Sequence, residues 1–125
     1  MPIPVTELIA KAAVMFRVTA AEITGPRRAR VFLRPRLAVY LAARVSGRTY
    51  QQIGRIVGGR DHSTIVAGCD SAEELFKRDP GFRAATRTLI AMAENWQVVN
   101  RQEEVSRKML DACKAEARER RRMAA

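Results

Sequence analysis

The sequence predicts an all-α fold, a small helical bundle that contains a helix-turn-helix and carries a C-terminal helical extension. Apolar residues recur at steps of three and four along most of the chain, which is the spacing of amphipathic helices. Glycine and proline residues interrupt this spacing at several points, as they do between short helices. The 125 residues, 47% hydrophobic and 6% aromatic, suit one small helical domain with an appendage.

The first three helices are predicted from this spacing. Residues 6–17 form an amphipathic pattern, and residues 18–25 predict one short capped turn of helix that a Gly-Pro pair ends. The third helix is expected to hold Pro35 in its first turn, where a missing N–H costs little, and to run to about Val45.

A helix-turn-helix is predicted over residues 49–69. Gly54 would let a neighbouring helix approach closely, and the pair Gly58-Gly59 would supply a turn with positive φ. The second helix is expected to begin near Asp61, a favourable N-cap residue. An ordinary αα-hairpin within a helical bundle would show the same pattern, so periodicity alone leaves both readings open.

The charge distribution favours the helix-turn-helix. The net charge is +10, and residues 23–60 contain nine arginines and no acidic residue. Such a stretch would repel itself without an anionic partner, and arginine favours forked contacts to phosphates and guanine edges. We therefore expect double-stranded DNA as the partner. A membrane is not expected, because no segment combines this charge with a large apolar stripe.

The C-terminal third predicts a long helical segment. Residues 82–99 carry a narrow apolar seam suited to a partner helix, from the body of the same chain or from another chain, and the first is favoured. Beyond it the sequence is charged and thinly amphipathic. We therefore expect a DNA-binding domain at 1–98 and an extension at 99–125, which is either a protruding helix or a frayed tail.

Other classes of site and protein are not expected. Cys69 and Cys113 lack the local spacing of zinc or redox motifs, and His62 is the single histidine, so neither a metal nor a cofactor is expected. Clustered carboxylates and a nucleophile-base pair are also lacking, so we expect no enzyme and no small-molecule substrate. Without a signal peptide or an apolar run of about 20 residues, a cytoplasmic, nucleoid-associated protein is expected.

A specific resemblance joins these features. The segment IGRIVGGRDHSTIV, residues 53–66, preceded by RRARVFLRPRLAVYLA, residues 27–42, resembles the C-terminal DNA-binding domain of the bacterial replication initiator DnaA. The likeness runs over roughly residues 5–95. It implies a helical bundle with a Trp-repressor-like helix-turn-helix, in which the GGRDH motif opens a recognition helix in the major groove and a basic loop reaches the adjacent minor groove.

The resemblance also implies roles for single residues. Asp61, His62 and Ser63 would read base edges, and Thr64 and Arg60 would hold phosphates near the N-terminus of the recognition helix. The implied DNA-binding set is Arg28, Arg30, Arg34, Arg36, Arg44, Arg60, Asp61, His62, Ser63 and Thr64.

Within the basic segment, Arg28 would enter the minor groove, Arg36 would support a contact at the edge of the DNA box, and Arg44 would hold a phosphate. Four features depart from the family, among them Gly68 in place of a small alanine and Asp70-Ser71 in place of a basic pair. Ser63 replaces the usual threonine and loses a methyl group, and Leu37 replaces a common glutamine. These departures concern the affinity and the identity of the box.

Two functions follow from the resemblance. These 125 residues contain no GxxxxGK[ST] phosphate loop, so we expect no ATP hydrolysis. The first function is transcriptional regulation, similar to activators of prophage-derived or gene transfer agent clusters, with a sigma-factor-like protein or RNA polymerase contacted through residues 99–125. The alternative is replication control at DnaA-box-like origin sites in competition with the initiator. The extension favours the first, because a competitor would not need it.

Overall fold

The computed structural model describes residues 2–124, and this part of the chain forms six α-helices and no strand. The helices are α1 (Val5–Phe16), α2 (Ala20–Thr24), α3 (Arg30–Val45), α4 (Tyr50–Ile56), α5 (His62–Arg78) and α6 (Pro80–Ala124). The all-α prediction is confirmed. Across the described range, no helix has both the length and the apolar character that a membrane crossing requires.

Helix α3 is the centre of the bundle. It packs against α1, α2, α4, α5 and α6, and small side chains such as Ala38, Ala42 and Ala43 let these neighbours approach closely. Around it lies a core of fully buried side chains that includes Leu8, Ile23, Val39, Ile53, Ile65, Phe82 and Leu89. The helix-turn-helix formed by α4 and α5 is thus supported from behind by α3.

The start of α3 differs from the prediction. The helix begins at Arg30, so Pro35 lies inside it rather than in its first turn. The arginine-rich residues before Pro35 hid this earlier start, because they show little apolar spacing. In the structure Phe32 is buried and anchors the additional turn. The end of the helix at Val45 agrees with the prediction.

Helix α6 is 45 residues long, about 68 Å, and its two parts have different surroundings. Phe82, Thr86, Leu89 and Ala93 are buried against the body of the same chain, as the sequence favoured. Every residue from 101 to 124 is exposed. The extension is therefore a protruding helix rather than a frayed tail. We call residues 99–124 the arm and residues 2–98 the body.

Candidate nucleic-acid interface

Glycines build the turn between α4 and α5. Gly58 and Gly59 have φ of 74° and 64°, in the left-handed region that favours glycine. A Cβ at Gly54 would overlap the carbonyl oxygen of Arg60, and the Arg60 N–H donates to the Gly54 carbonyl oxygen at 2.7 Å. The chain thus folds back directly on α4, which confirms the predicted turn and close approach.

The first turn of α5 faces outward. Asp61 is the N-cap residue, and its carboxylate makes no capping hydrogen bond, so its oxygens are free for a ligand. The side chains of Asp61, His62, Ser63 and Thr64 are all exposed, whereas Ile65 is fully buried against the core. The start of α5 therefore presents polar groups at the surface while the next residues anchor the helix.

Three side chains stack beside this first turn. The guanidinium carbon of Arg44 lies 4.4 Å from the centroid of the Tyr50 ring, a cation–π distance. The Tyr50 and His62 rings meet edge to face, with centroids 5.4 Å apart. Sequence reasoning missed Tyr50, because nothing in the linear order shows that α4 and α5 start side by side. Tyr50 connects the two predicted site residues Arg44 and His62.

Arg36 points inward. It is 4% exposed, and its guanidinium donates to four backbone carbonyl oxygens, those of Glu22, Ile23, Gly25 and Arg27. Burial, followed by the nearby Arg60 guanidinium, lowers its pKa from the usual arginine value. This geometry gives Arg36 a positioning role for the loop between α2 and α3, which revises the DNA contact that the resemblance implied.

Arg60 connects the same loop to the helix-turn-helix. Its Nη1 donates to the Val57 carbonyl oxygen at 2.8 Å, and its Nη2 donates to the Gly25 carbonyl oxygen at 2.6 Å. The Gly25 oxygen therefore accepts from both Arg36 and Arg60. Two arginines thus hold the loop that carries Arg28 at a fixed position beside the turn.

The loop between α2 and α3, residues 25–29, is held by Arg36 and Arg60, and we call it the clamped loop. Together with α5 it borders a concave surface that surrounds a cavity of about 930 Å³. Arg28 lines one side, and Asp61 and Thr64 line the other. At its floor, a Cβ at Gly68 would lie 2.7 Å from a ring carbon of Tyr40. Gly68 weakens the helix locally, but it lets the Tyr40 ring of α3 pack directly under α5.

Arg34 and Arg30 do not line this concave surface. Arg34 pairs with Asp79 at 2.7 Å between Nη2 and Oδ2, which connects α3 to the start of α6. The Phe82 N–H, which donates to Asp79, and the Arg34 guanidinium lower the pKa of the Asp79 carboxyl. Arg30 is exposed at the first residue of α3. Arg34 therefore has a structural partner within the chain, whereas Arg30 faces outward.

Comparison with known proteins identifies the family. A family model described as the bacterial dnaA protein helix-turn-helix matches residues 5–71, which include the clamped loop, the glycine turn and the exposed start of α5. The chromosomal replication initiator protein DnaA of Acinetobacter baylyi is 37% identical over 81 residues, covering 64% of this chain and 17% of that protein. DnaA of Acinetobacter baumannii gives the same identity, aligned length and coverages.

DnaA of Cereibacter sphaeroides is 38% identical over 78 residues, covering 62% of this chain. The chain spans about 17% of the length of these curated relatives. The family match covers more than half of the chain, and it contains the elements that build the concave surface. The chain belongs to the family of the bacterial DnaA helix-turn-helix.

Proposed function

We propose that the chain binds double-stranded DNA in a sequence-specific way and regulates transcription. Family membership supports the DNA-binding part. The main structural support for DNA binding is that Arg36 and Arg60 both donate to the Gly25 carbonyl oxygen. These two hydrogen bonds fix the clamped loop, which carries Arg28, against the helix-turn-helix. A loop already ordered loses less conformational entropy when it meets its ligand.

The first turn of α5 would read the major groove. The free Asp61 carboxylate can accept from cytosine N4, and His62 can donate to or accept from a purine edge. Ser63 would contact a base as well, while Thr64 would hold a phosphate near the N-terminus of α5. The contact between Tyr50 and His62 would orient the imidazole before binding.

The basic loop would bind the adjacent minor groove. Arg28 lines the concave surface opposite α5, so one duplex could contact both sides. An arginine suits the negative potential of a narrow minor groove. Arg44, exposed beside Tyr50, would hold a phosphate, and Arg30 and the partly exposed Arg60 would add further phosphate contacts.

The transcriptional part of the proposal rests on the arm. Its exposed surface is available to a protein partner, for which a sigma-factor-like protein or RNA polymerase is the class we propose. The regulated genes would be a prophage-derived or gene transfer agent cluster, as the resemblance to small initiator-like activators implies. DNA binding by the body would then place the arm at a promoter.

Separate measurements of affinity and specificity test the DNA site. His62→Ala should cost about 1–3 kcal/mol on a duplex recovered by selection and little on a scrambled duplex, because only base contacts distinguish the two. Arg44→Ala should weaken both equally. Arg87→Ala, on α6 beside Phe76, is the matched control and should change neither. Equal losses on both duplexes for His62→Ala would contradict its role as a base reader.

Replication control is the second candidate, and the relatives support it because they are named chromosomal replication initiators. Occupation of origin sites needs only the DNA-binding body, whereas recruitment needs the arm. A chain cut after Val99 should therefore lose promoter activation and keep any inhibition of origin firing. Reporter output and origin copy number at matched expression separate the two functions. Full promoter activity of the shortened chain would rule out recruitment through the arm.

A further inference from the structure

One side of α6 carries an apolar surface that continues from the body into the arm. Three shallow hollows lie along it, the first two beside Ile90 and the third beside Val98 and Val105, which lie about 60–80° further around the helix. Met109 lies one turn further along the same side. We call this surface, with the two neighbouring side chains that border its first hollow, the α6 strip; its apolar members are Ile90, Val98, Val105 and Met109 on α6, Val45 on α3 and Phe76 on α5.

The body of the same chain does not cover the arm end of the strip. At about 100° per residue, Val98, Val105 and Met109 lie on the side of α6 opposite Phe82, Leu89 and Ala93. The latter three face the core, whereas the former are 51%, 53% and 65% exposed. An unbroken α6 therefore cannot turn both sides toward one body, so any cover for the arm end comes from another molecule.

The two ends of the strip differ in charge. Glu73 and Glu94 line the hollows of the body end, together with one lysine, Lys77. Arg101 lines the hollow of the arm end, and Lys108 follows on the same flank at helical spacing. The body end thus offers an apolar groove with two carboxylates. The arm end offers a ridge of exposed apolar side chains flanked by two cations, of which Lys108 also lies 3.4 Å from Glu104 of its own arm.

We propose that the α6 strip is a dimer interface for a second copy of this chain. A two-fold axis near the middle of the strip would set the two α6 helices antiparallel, with the arm ridge of each copy in the body groove of the other. The strip from Ile90 to Met109 is about 28 Å long. The contact is isologous and closes after two copies, and each cation pair faces the carboxylates of the partner.

This inference goes beyond the proposed function and rests on different residues. The first turn of α5 and the basic loop remain outside the strip, so each copy keeps its own DNA site. A dimer would bind two neighbouring sites with a gain in apparent affinity that comes from effective concentration. The distal residues 110–124 of each arm remain available for the partner described above.

Mass measurement on the full chain tests the dimer directly. By light scattering the protein should have twice the 14.0 kDa mass of one chain, and Val105→Glu or Met109→Glu should weaken association by about tenfold or more, since each places a charge in an apolar groove. Val14→Glu, at a 75% exposed site on α1, is the matched control and should remain dimeric. All variants should keep wild-type helicity and affinity for a single DNA site.

A charge exchange tests the pairing itself. The variant Glu73→Lys/Glu94→Lys and the variant Arg101→Glu/Lys108→Glu should each be monomeric, because groove and ridge then carry like charges. Mixed together they should form a heterodimer, since both reciprocal contacts regain opposite charges. A single-chain mass for the wild type at about 100 µM, or no association in the mixture, would overturn the proposal even with DNA binding intact. A different protein that occupies the strip of a monomer would overturn it as well.

Discussion

The body and the arm share one continuous helix, yet they hold it in different ways. In the body half of α6, Phe82 and Leu89 have no exposed surface, and core packing fixes the helix. In the arm every residue beyond 100 is exposed, and its one ion pair among the described residues, Glu104–Lys108 at 3.4 Å, contributes little at an exposed site. Secondary structure alone therefore does not distinguish a helix held by core packing from one that depends on local helix propensity.

The same contrast divides the arginines. Arg36 and Arg60 have partners within the chain, and both donate to the Gly25 carbonyl oxygen in the loop between α2 and α3. The arginines at the end of the arm, Arg120–Arg122, are exposed. Arginines of equal charge thus have different roles. Arg36 and Arg60 shape the concave surface, whereas Arg120–Arg122 mainly change the long-range electrostatic potential around the protein. Four measurements test whether the body and the arm differ in this way.

The two cysteines should show the largest difference. Cys69 is buried in the body, and burial raises the pKa of its thiol from 9.0 to about 11, whereas Cys113 is exposed in the arm. At neutral pH a maleimide should modify Cys113 on the order of 10⁴-fold faster, because Cys69 reacts only after an opening that costs several kcal/mol. Mass spectrometry of timed samples measures both rates.

The raised pKa of Cys69 also determines how the stability of the folded protein changes with pH. The neutral thiol contributes stability below pH 9.0, and this contribution is lost as the pH rises through about 11. Equal rates for the two cysteines in the native protein would show that the body is as open as the arm.

Side-chain deletion in the two halves of α6 should give the next largest difference. Phe82→Ala should lower the free energy of unfolding by about 3–5 kcal/mol, because it removes a fully buried ring. Ala115→Pro in the arm should break the helix locally and change the unfolding of the body by less than about 0.5 kcal/mol. Urea titrations followed by Trp96 fluorescence compare them. A large loss for Ala115→Pro would mean that the arm packs on the body.

Loss of the Arg36 hydrogen bonds should lower the free energy of unfolding less than loss of the buried Phe82 ring. Its effect should be concentrated in the loop between α2 and α3. Arg36→Lys should cost about 2 kcal/mol, since a single ammonium cannot satisfy four carbonyl oxygens, two in α2 and two in the loop that follows it. Hydrogen exchange should then accelerate in residues 25–29. Arg34→Lys, which keeps the partly exposed pair with Asp79, is the control and should cost less than about 0.5 kcal/mol. Unchanged exchange in the loop of Arg36→Lys would contradict the positioning role.

Removal of the arm should have the smallest effect on a single DNA site. With about six arginines of residues 27–60 on phosphates, the logarithm of affinity should fall with the logarithm of salt at a slope of about −5. A chain cut after Val99 should keep a similar slope and an affinity within about fivefold, because the arm contributes few phosphate contacts. Binding titrations over a range of salt measure both. A slope shallower than about −2 for the full chain would remove the flanking arginine contacts.

The sequence alone was sufficient for the class of fold and for most of the helix-turn-helix. The spacing of apolar residues predicted the helices. The Gly58-Gly59 pair predicted a turn with positive φ, and the observed values of 74° and 64° suit glycine far better than other residues. The motif around Asp61 and His62 was local in the chain, so a linear reading could find it. These features depend on neighbours within a few residues.

Three further features depend on tertiary contacts and could not be predicted from the sequence. Only packing shows that Arg36 turns inward to four carbonyl oxygens and that Tyr50 connects Arg44 with His62. The start of α3 was likewise set by the burial of Phe32. The direction of a long side chain depends on which partners the fold brings near it. The sequence alone therefore does not distinguish an arginine such as Arg28, on the surface of the loop, from one such as Arg36, which holds that loop in place.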